Sequence, residues 1–269
     1  MKPEQIPMVC ISLERRKDRW GRFQLLAKAA GVHVEHLPAI DAQTFGAAPH
    51  KHSAISLTTA HNVYYGRRRS HYEIDKAGAI GCSLSHFAAW AKLRASGAPA
   101  IVVFEDDAVI PKDFNARFAK IVAELPDEWD VVTFTNTRFS NNRRGCTPLQ
   151  NGTQWETCTS LMGAFGYMVS RRGAERLLAR AYPIELHVDA YLAFMSRLGY
   201  IQMMWHPFLE VEHSDQGSDI NHGSFGILNI PTDMEQAGVM VLDAKSIVGI
   251  MAMSAVVGGL IAMAWRPGK

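Results

Sequence analysis

Ile101-Val-Val-Phe-Glu-Asp-Asp-Ala108 decides the reading of this 269-residue chain. Four apolar, strand-forming residues run directly into three consecutive carboxylates, Glu105, Asp106 and Asp107. The unbroken apolar run predicts a strand buried on both faces. Adjacent carboxylates repel one another and are costly unless a cation sits among them. A buried strand that carries such a group to its C-terminal end is suited to holding a divalent metal beside a phosphate. In extended backbone Glu105 and Asp107 point to one face, where both can serve one ion. The plain alternative is a solvated acidic turn after an edge strand.

Outward from that strand, strand and helix signals alternate. Residues 8–13 read as a buried strand, 16–30 as a helix stopped by Gly31, and 33–40 as a second strand. Residues 45–75 are irregular and rich in His, Ser and Arg, which predicts an insertion or mobile loop. Ser83 is suited to cap a helix running to Ala95. Further helices are expected over 113–125, 171–181 and 188–198, and further strands over 130–134, 164–169 and 200–205. The polar stretch 135–159 reads as a long loop. The expectation is an α/β fold, a mostly parallel, Rossmann-like sheet flanked by helices, with ligands beyond the carboxyl ends of the strands.

The chain divides into residues 1–242, expected to be catalytic, and an apolar tail, 243–269. Within the tail, residues 246–265 carry no charge and lie between Lys245 and Arg266. Their length matches a hydrocarbon core of about 30 Å, although Gly249, Gly258, Gly259, Ser246 and Ser254 dilute the apolar content. The tail is therefore a candidate membrane anchor, with an interfacial or core helix as the alternative. The apolar run Met8-Val9-Cys10-Ile11 is too short for a signal peptide. That places the expected catalytic part in the cytoplasm, attached to the cytoplasmic face of a membrane.

A formal net charge of +2 gives no case for nucleic acid as partner. Arg15-Arg16-Lys17 and Arg67-Arg68-Arg69 are local basic clusters, read as solvated faces or as contacts for a phosphate or an anionic membrane. None of Cys10, Cys82, Cys146 and Cys158 has the short spacing of a zinc or redox motif. Cys10 and Cys82 read as small buried hydrophobes. Cys146 and Cys158 are near enough in sequence to pair, but a reduced cytosolic setting is the simpler expectation.

Several residues are candidates for chemistry. Asp189 follows His187-Val188 at a helix start and reads as a general base or as a cap. His213 reads as a metal ligand, imidazole being acceptable to manganese, or as a loop histidine. Arg15, Arg16 and Arg19 follow the first strand, where guanidinium groups suit a nucleotide phosphate. His86 reads as structural or donor-binding. No Ser-His-Asp or Cys-His pattern marks a covalent nucleophile.

Five segments in order resemble glycosyltransferase family 25, the lipooligosaccharide and procollagen galactosyltransferase group. They are Ile11-Ser-Leu-Glu-Arg-Arg-Lys-Asp-Arg19, Pro38-Ala-Ile-Asp41, Gly78-Ala-Ile-Gly-Cys-Ser-Leu-Ser-His86, Val103-Phe-Glu-Asp-Asp107, and Gly166-Tyr-Met-Val-Ser-Arg-Arg-Gly-Ala174 with Pro183 and Val188-Asp189 beyond it. Ser218-Asp219-Ile220 resembles the close of the pattern. The resemblance implies a GT-A type fold, a nucleotide-sugar donor and a divalent metal, Mn2+ or Mg2+. It implies Asp107 as the direct metal ligand, with Glu105 and Asp106 nearer the ribose or donor sugar. It also implies inverting transfer of a hexose, galactose by first choice, from a UDP-sugar. The acceptor would be a glycan or glycolipid, as in lipopolysaccharide or lipooligosaccharide biosynthesis. Residues 45–75 and the tail have no counterpart in the pattern, and Ala190 stands where many relatives carry His. The rivals are a binding protein that keeps the fold without turnover, and a metal-dependent phosphohydrolase.

Overall fold

The structure, a computed structural model, describes residues 1–135, 145–161 and 163–214. The apolar tail, Asp215 and Ser218-Asp219-Ile220 lie outside the described residues. Among the described residues, no helix is long and apolar enough to cross a membrane.

In chain order the elements are β1 (Met8–Ser12), α1 (Lys17–Ala29), β2 (Glu35–Pro38), α2 (Leu57–Tyr65), α3 (Ala77–Ala95), β3 (Ala100–Glu105), β4 (Ala108–Val109) and α4 (Phe114–Ala123). They continue with β5 (Val131–Thr133), β6 (Cys146–Pro148), β7 (Glu156–Cys158), β8 (Gly166–Ser170), α5 (Arg171–Leu178), α6 (Val188–Arg197), β9 (Met203–Trp205) and β10 (Glu212–His213). One eight-stranded sheet has the order β2-β1-β3-β8-β5-β9-β7-β6. β1 is parallel to β2 and β3, and β5 is parallel to β9. β8 runs antiparallel between β3 and β5, and β7 antiparallel between β9 and β6. Only β7 and β8 therefore oppose the common direction, which gives the mostly parallel sheet expected.

Helices cover both faces. On one, Ile101 and Val103 of β3 join Trp90 and Leu93 of α3, Leu177 of α5 and Leu192 of α6. On the other, Val102 and Phe104 join Phe23 of α1 and Phe114, Phe118 and Ile121 of α4. Alternate β3 side chains thus enter two separate cores, which is why the strand reads as a continuous apolar run.

Three expectations need correction. First, α3 starts at Ala77, and Ser83 is buried inside it rather than capping it. The glycines that mimic a break serve a close approach: a Cβ on Gly81 would lie 2.4 Å from the Ile40 carbonyl oxygen. Gly81→Ala should therefore destabilise the fold by about 1–3 kcal/mol in urea titration. Helix propensity alone would stabilise it by about 1 kcal/mol, so the sign of the change tests the contact.

Second, residues 45–75 are not a loose insertion. Ser56 caps α2 by accepting from Thr59 N–H, and Gly66 ends it at φ +64°. The segment is fastened by bridges from Ile55 to Ile184 and from Glu73 to Leu186, by Thr59 Oγ1 donating to the Ile184 carbonyl, and by the fully buried Ile74. Its apolar partners lie more than a hundred residues away, so no local periodicity announces them.

Third, the 135–159 stretch contains a hairpin, β6–β7, closed by a Cys146–Cys158 disulfide. This replaces the reduced pair expected from sequence. The hairpin docks on β9, and Ser196 Oγ on α6 donates to the Cys158 carbonyl at 2.6 Å. Closing a loop of this size restricts the unfolded chain by about 3 kcal/mol. Cys146→Ser should lose about 2–3 kcal/mol in urea denaturation. Reductant should lower native stability to the same level and leave the variant unchanged.

Candidate active site

The strand direction of β3 delivers the three acids to its C-terminal end, but the strand stops at Glu105. Asp106 and Asp107 form the turn into β4. The alternation expected to pair Glu105 with Asp107 stops there, and Asp106 and Asp107 share a partner instead. Arg19 Nη2 lies 2.7 Å from Asp106 Oδ1 and 2.6 Å from Asp107 Oδ2, with its side chain almost fully buried. Ser12 Oγ, at the end of β1, donates to Asp106 Oδ2 at 2.6 Å. β4 pairs antiparallel with β10, setting His213 opposite Ala108. His213 Nε2 consequently lies 3.2 Å from Asp107 Oδ2, and Ser214 N–H donates to the Asp107 carbonyl.

Burial pushes the Asp106 carboxyl above its ordinary value despite the Ser12 hydrogen bond and the Arg19 charge. Burial acts on Asp107 too. There the His213 hydrogen bond and the Arg19 and His213 charges together outweigh it, holding the carboxyl below its ordinary value. Asp107 is therefore the firmly ionised member of the pair. Its Oδ1 is buried with no hydrogen-bond partner among the described residues, and such an atom is costly to leave unmatched. An ionised oxygen without a protein donor, next to an imidazole, suits a hard or borderline divalent ion. Asp107 and His213 are the residues that would hold it.

Glu105 belongs to a second network. His86, fully buried in α3, places Nε2 3.2 Å from Glu105 Oε1 and Nδ1 2.8 Å from the Tyr167 hydroxyl. Trp90 Nε1 also donates to that hydroxyl, at 2.8 Å. Burial drives the Tyr167 hydroxyl well up, so it stays protonated. A consistent chain of donors runs from Trp90 to Tyr167, to His86 Nδ1, and from His86 Nε2–H to Glu105. His86 is thus beneath the surface, with its two ring nitrogens facing Tyr167 and Glu105. Sequence reasoning missed Tyr167 and Trp90; the available signal was a polar-tipped aromatic in each buried element, which needs a hydrogen-bond partner.

Of the expected arginines, Arg19 enters the acid cluster, where it lies between the carboxylates of Asp106 and Asp107. Arg15 pairs with Asp41 at 2.8 Å and Arg16 with Asp18 at 3.0 Å, both partly exposed. Arg22, not anticipated, donates to Ser214 Oγ beside His213.

Asp189 lies in the first turn of α6, where the helix dipole favours a carboxylate. Its Oδ2 accepts from Gly163 N–H and its Oδ1 from Ala190 N–H, each at 2.8 Å. Each oxygen retains a second lone pair for a substrate proton. Beside it, burial pushes the His187 imidazole down, and Arg68 Nη1 approaches its Nε2 at 3.1 Å. The Cys82 thiol is raised by burial and then by the charges of Glu105, Asp189 and Asp107. A cleft of about 890 Å3 lined by Met8, Val32, Glu35 and Lys112 opens at the opposite ends of β1 and β2, away from these acids. Open α/β sheets bind ligands at the carboxyl ends of their strands, so the acid cluster is the site favoured here.

Comparison with known proteins agrees with the family resemblance. A glycosyltransferase 25 family member of Drosophila pseudoobscura pseudoobscura is 28% identical over 69% of this chain and 29% of its own length. Procollagen galactosyltransferase 1 of Danio rerio is 27% identical over 69% of this chain and 30% of its own. Inactive glycosyltransferase 25 family member 3 of Mus musculus is 27% identical over 69% and 31%. The chain thus spans under a third of the length of these relatives. The family described as glycosyltransferase family 25 (LPS biosynthesis protein) matches residues 5–192, a span that holds the five resembling segments, Glu105, Asp106 and Asp107, and every strand of the eight-stranded sheet but β9, and the chain belongs to glycosyltransferase family 25.

Proposed function

We propose that the chain is a metal-dependent, inverting glycosyltransferase of GT-A type that moves a hexose from a UDP-sugar to a glycan or glycolipid acceptor. The observation that carries this is Asp107. One oxygen is braced by Arg19 and His213, while the other is buried and unmatched among the described residues, at the carboxyl end of β3. A divalent ion, when bound there, would supply Lewis-acid stabilisation of a departing diphosphate. Glu105, held by His86, is set to orient the donor, and Asp189 to take the proton of an acceptor hydroxyl. Galactose is the first choice of sugar, supported by the name of the zebrafish relative. A surface-glycan acceptor is supported by the family description. The disulfide favours an oxidising compartment over the cytoplasm expected from sequence.

Arg19 supports a second reading. It already compensates both Asp106 and Asp107 without a metal, and one relative is named inactive. On that reading the chain binds a nucleotide sugar without turning it over. A screen of UDP-sugars with manganese, with and without chelator and acceptor, separates the two. The transferase releases UDP only with metal and acceptor together. Affinity without UDP release in any combination selects the binding module.

A further inference from the structure

Cys82, His86 and Glu105 form a constellation of which the proposed transfer uses only Glu105 and its His86 support. The first two stand at i and i+4 of α3, one above the other on one helical face. Glu105 reaches them from the end of β3. One ligating atom from each, a thiol sulfur, an imidazole nitrogen and a carboxylate oxygen, lies within 4.8 Å of the other two. We propose that these three residues bind a thiophilic divalent cation, zinc foremost, and that its capture inhibits the enzyme.

Metal–ligand bonds of about 2.0–2.3 Å separate the ligand atoms of a tetrahedral zinc by roughly 3.5 Å. Contraction by about 1 Å, within the reach of the Cys82 and Glu105 side chains, completes the site. The donor set selects the ion: sulfur with nitrogen suits zinc or cobalt, whereas magnesium and manganese prefer oxygen. The second shell is already built. Tyr167, itself tethered by Trp90, holds the remote ring nitrogen of His86 and aims Nε2 at Glu105. Binding releases the thiol proton to water and moves the imidazole proton from Nε2 to Nδ1, whose N–H then donates to the Tyr167 oxygen as that hydroxyl's own hydrogen rotates away; a fourth position is left for water. His86 is buried, but Cys82 and Glu105 are partly exposed, which gives the ion an entry. Once bound, it withdraws Glu105 from the donor-orienting role proposed above.

The inhibitory consequence rests on the transferase reading; the binding does not, and the experiment separates them. Metal-free full-length chain, with the Cys146–Cys158 disulfide intact, is titrated with Co2+ and followed by thiolate-to-cobalt charge-transfer absorption. The expected result is one equivalent bound, displaced by Zn2+, with the band lost in Cys82→Ser and kept in Cys10→Ser. Glu105→Gln should keep the band and weaken Zn2+ binding about tenfold. Absence of the band, its survival in Cys82→Ser, or zinc affinity unchanged in Glu105→Gln overturns the site. With excess manganese present, micromolar zinc should suppress UDP release by the native chain and not by Cys82→Ser. Equal suppression of both overturns the inhibitory role while leaving the cobalt result to decide binding.

Discussion

Asp107→Asn should lower acceptor-dependent UDP release by about 10³-fold or more while the protein stays folded. Lewis-acid stabilisation by a bound metal is worth several kcal/mol of transition-state energy, and each 1.4 kcal/mol is about tenfold in rate. Loss of about 4 kcal/mol therefore gives the expected factor. The substitution keeps the shape of the side chain and one oxygen to face Arg19 and His213, but it removes the charge that an ion would require at Oδ1. The fold should tolerate this. Arg19 retains Asp106, and the burial cost of the Asp107 charge disappears along with its attractions. The melting temperature and the apparent manganese affinity are measured on the same preparation. Turnover within tenfold of native, or turnover indifferent to chelator in both proteins, removes Asp107 from the metal site and takes the metal dependence with it.

What the sequence disclosed and what it concealed have physical causes. β1, β3 and β8 are legible because central strands of a mostly parallel sheet are buried on both faces and must be apolar throughout. The acid cluster is legible for the opposite reason, since three charges after such a run violate the pattern. Its internal geometry is not legible. Side-chain alternation holds only while the backbone stays extended, and the turn after Glu105 sends Asp106 and Asp107 to Arg19 while Glu105 goes to His86. The approach of His213 depends on a two-residue ladder between β4 and β10, far too short for periodicity to detect. Glycine misleads at α3 because the same residue type that breaks helices also permits close packing, as Gly81 does against Ile40. The disulfide escapes because sequence alone does not say whether two cysteines meet, and here the meeting is made by β-pairing of Cys146 with Cys158.

Asp189→Asn should reduce acceptor-dependent transfer by about 10²–10⁴-fold, the range that a positioned general base contributes. The amide also disturbs structure. Both carboxylate oxygens accept backbone N–H groups, from Gly163 and Ala190, so one of them would meet an NH2 in the variant and its hydrogen bond would be lost. That loss costs about 1–2 kcal/mol of stability, and activity alone therefore does not distinguish a base from a structural acceptor inside the first turn, where His187 and not Asp189 is the N-cap. Asp189→Ser does. A serine hydroxyl oxygen can accept from these backbone N–H groups without the opposed NH2 that asparagine brings, yet it is no base at neutral pH. If Asp189 only secures the start of α6, the serine variant recovers melting temperature and turnover together. If it takes the acceptor proton, the serine variant recovers stability alone, and transfer stays down by the same factor as in Asp189→Asn. UDP-sugar affinity by calorimetry should be native in both variants, because α6 and β3 bring separate groups to the site. Recovery of transfer by serine would leave the reaction without a base among the residues named here and would return weight to binding without turnover.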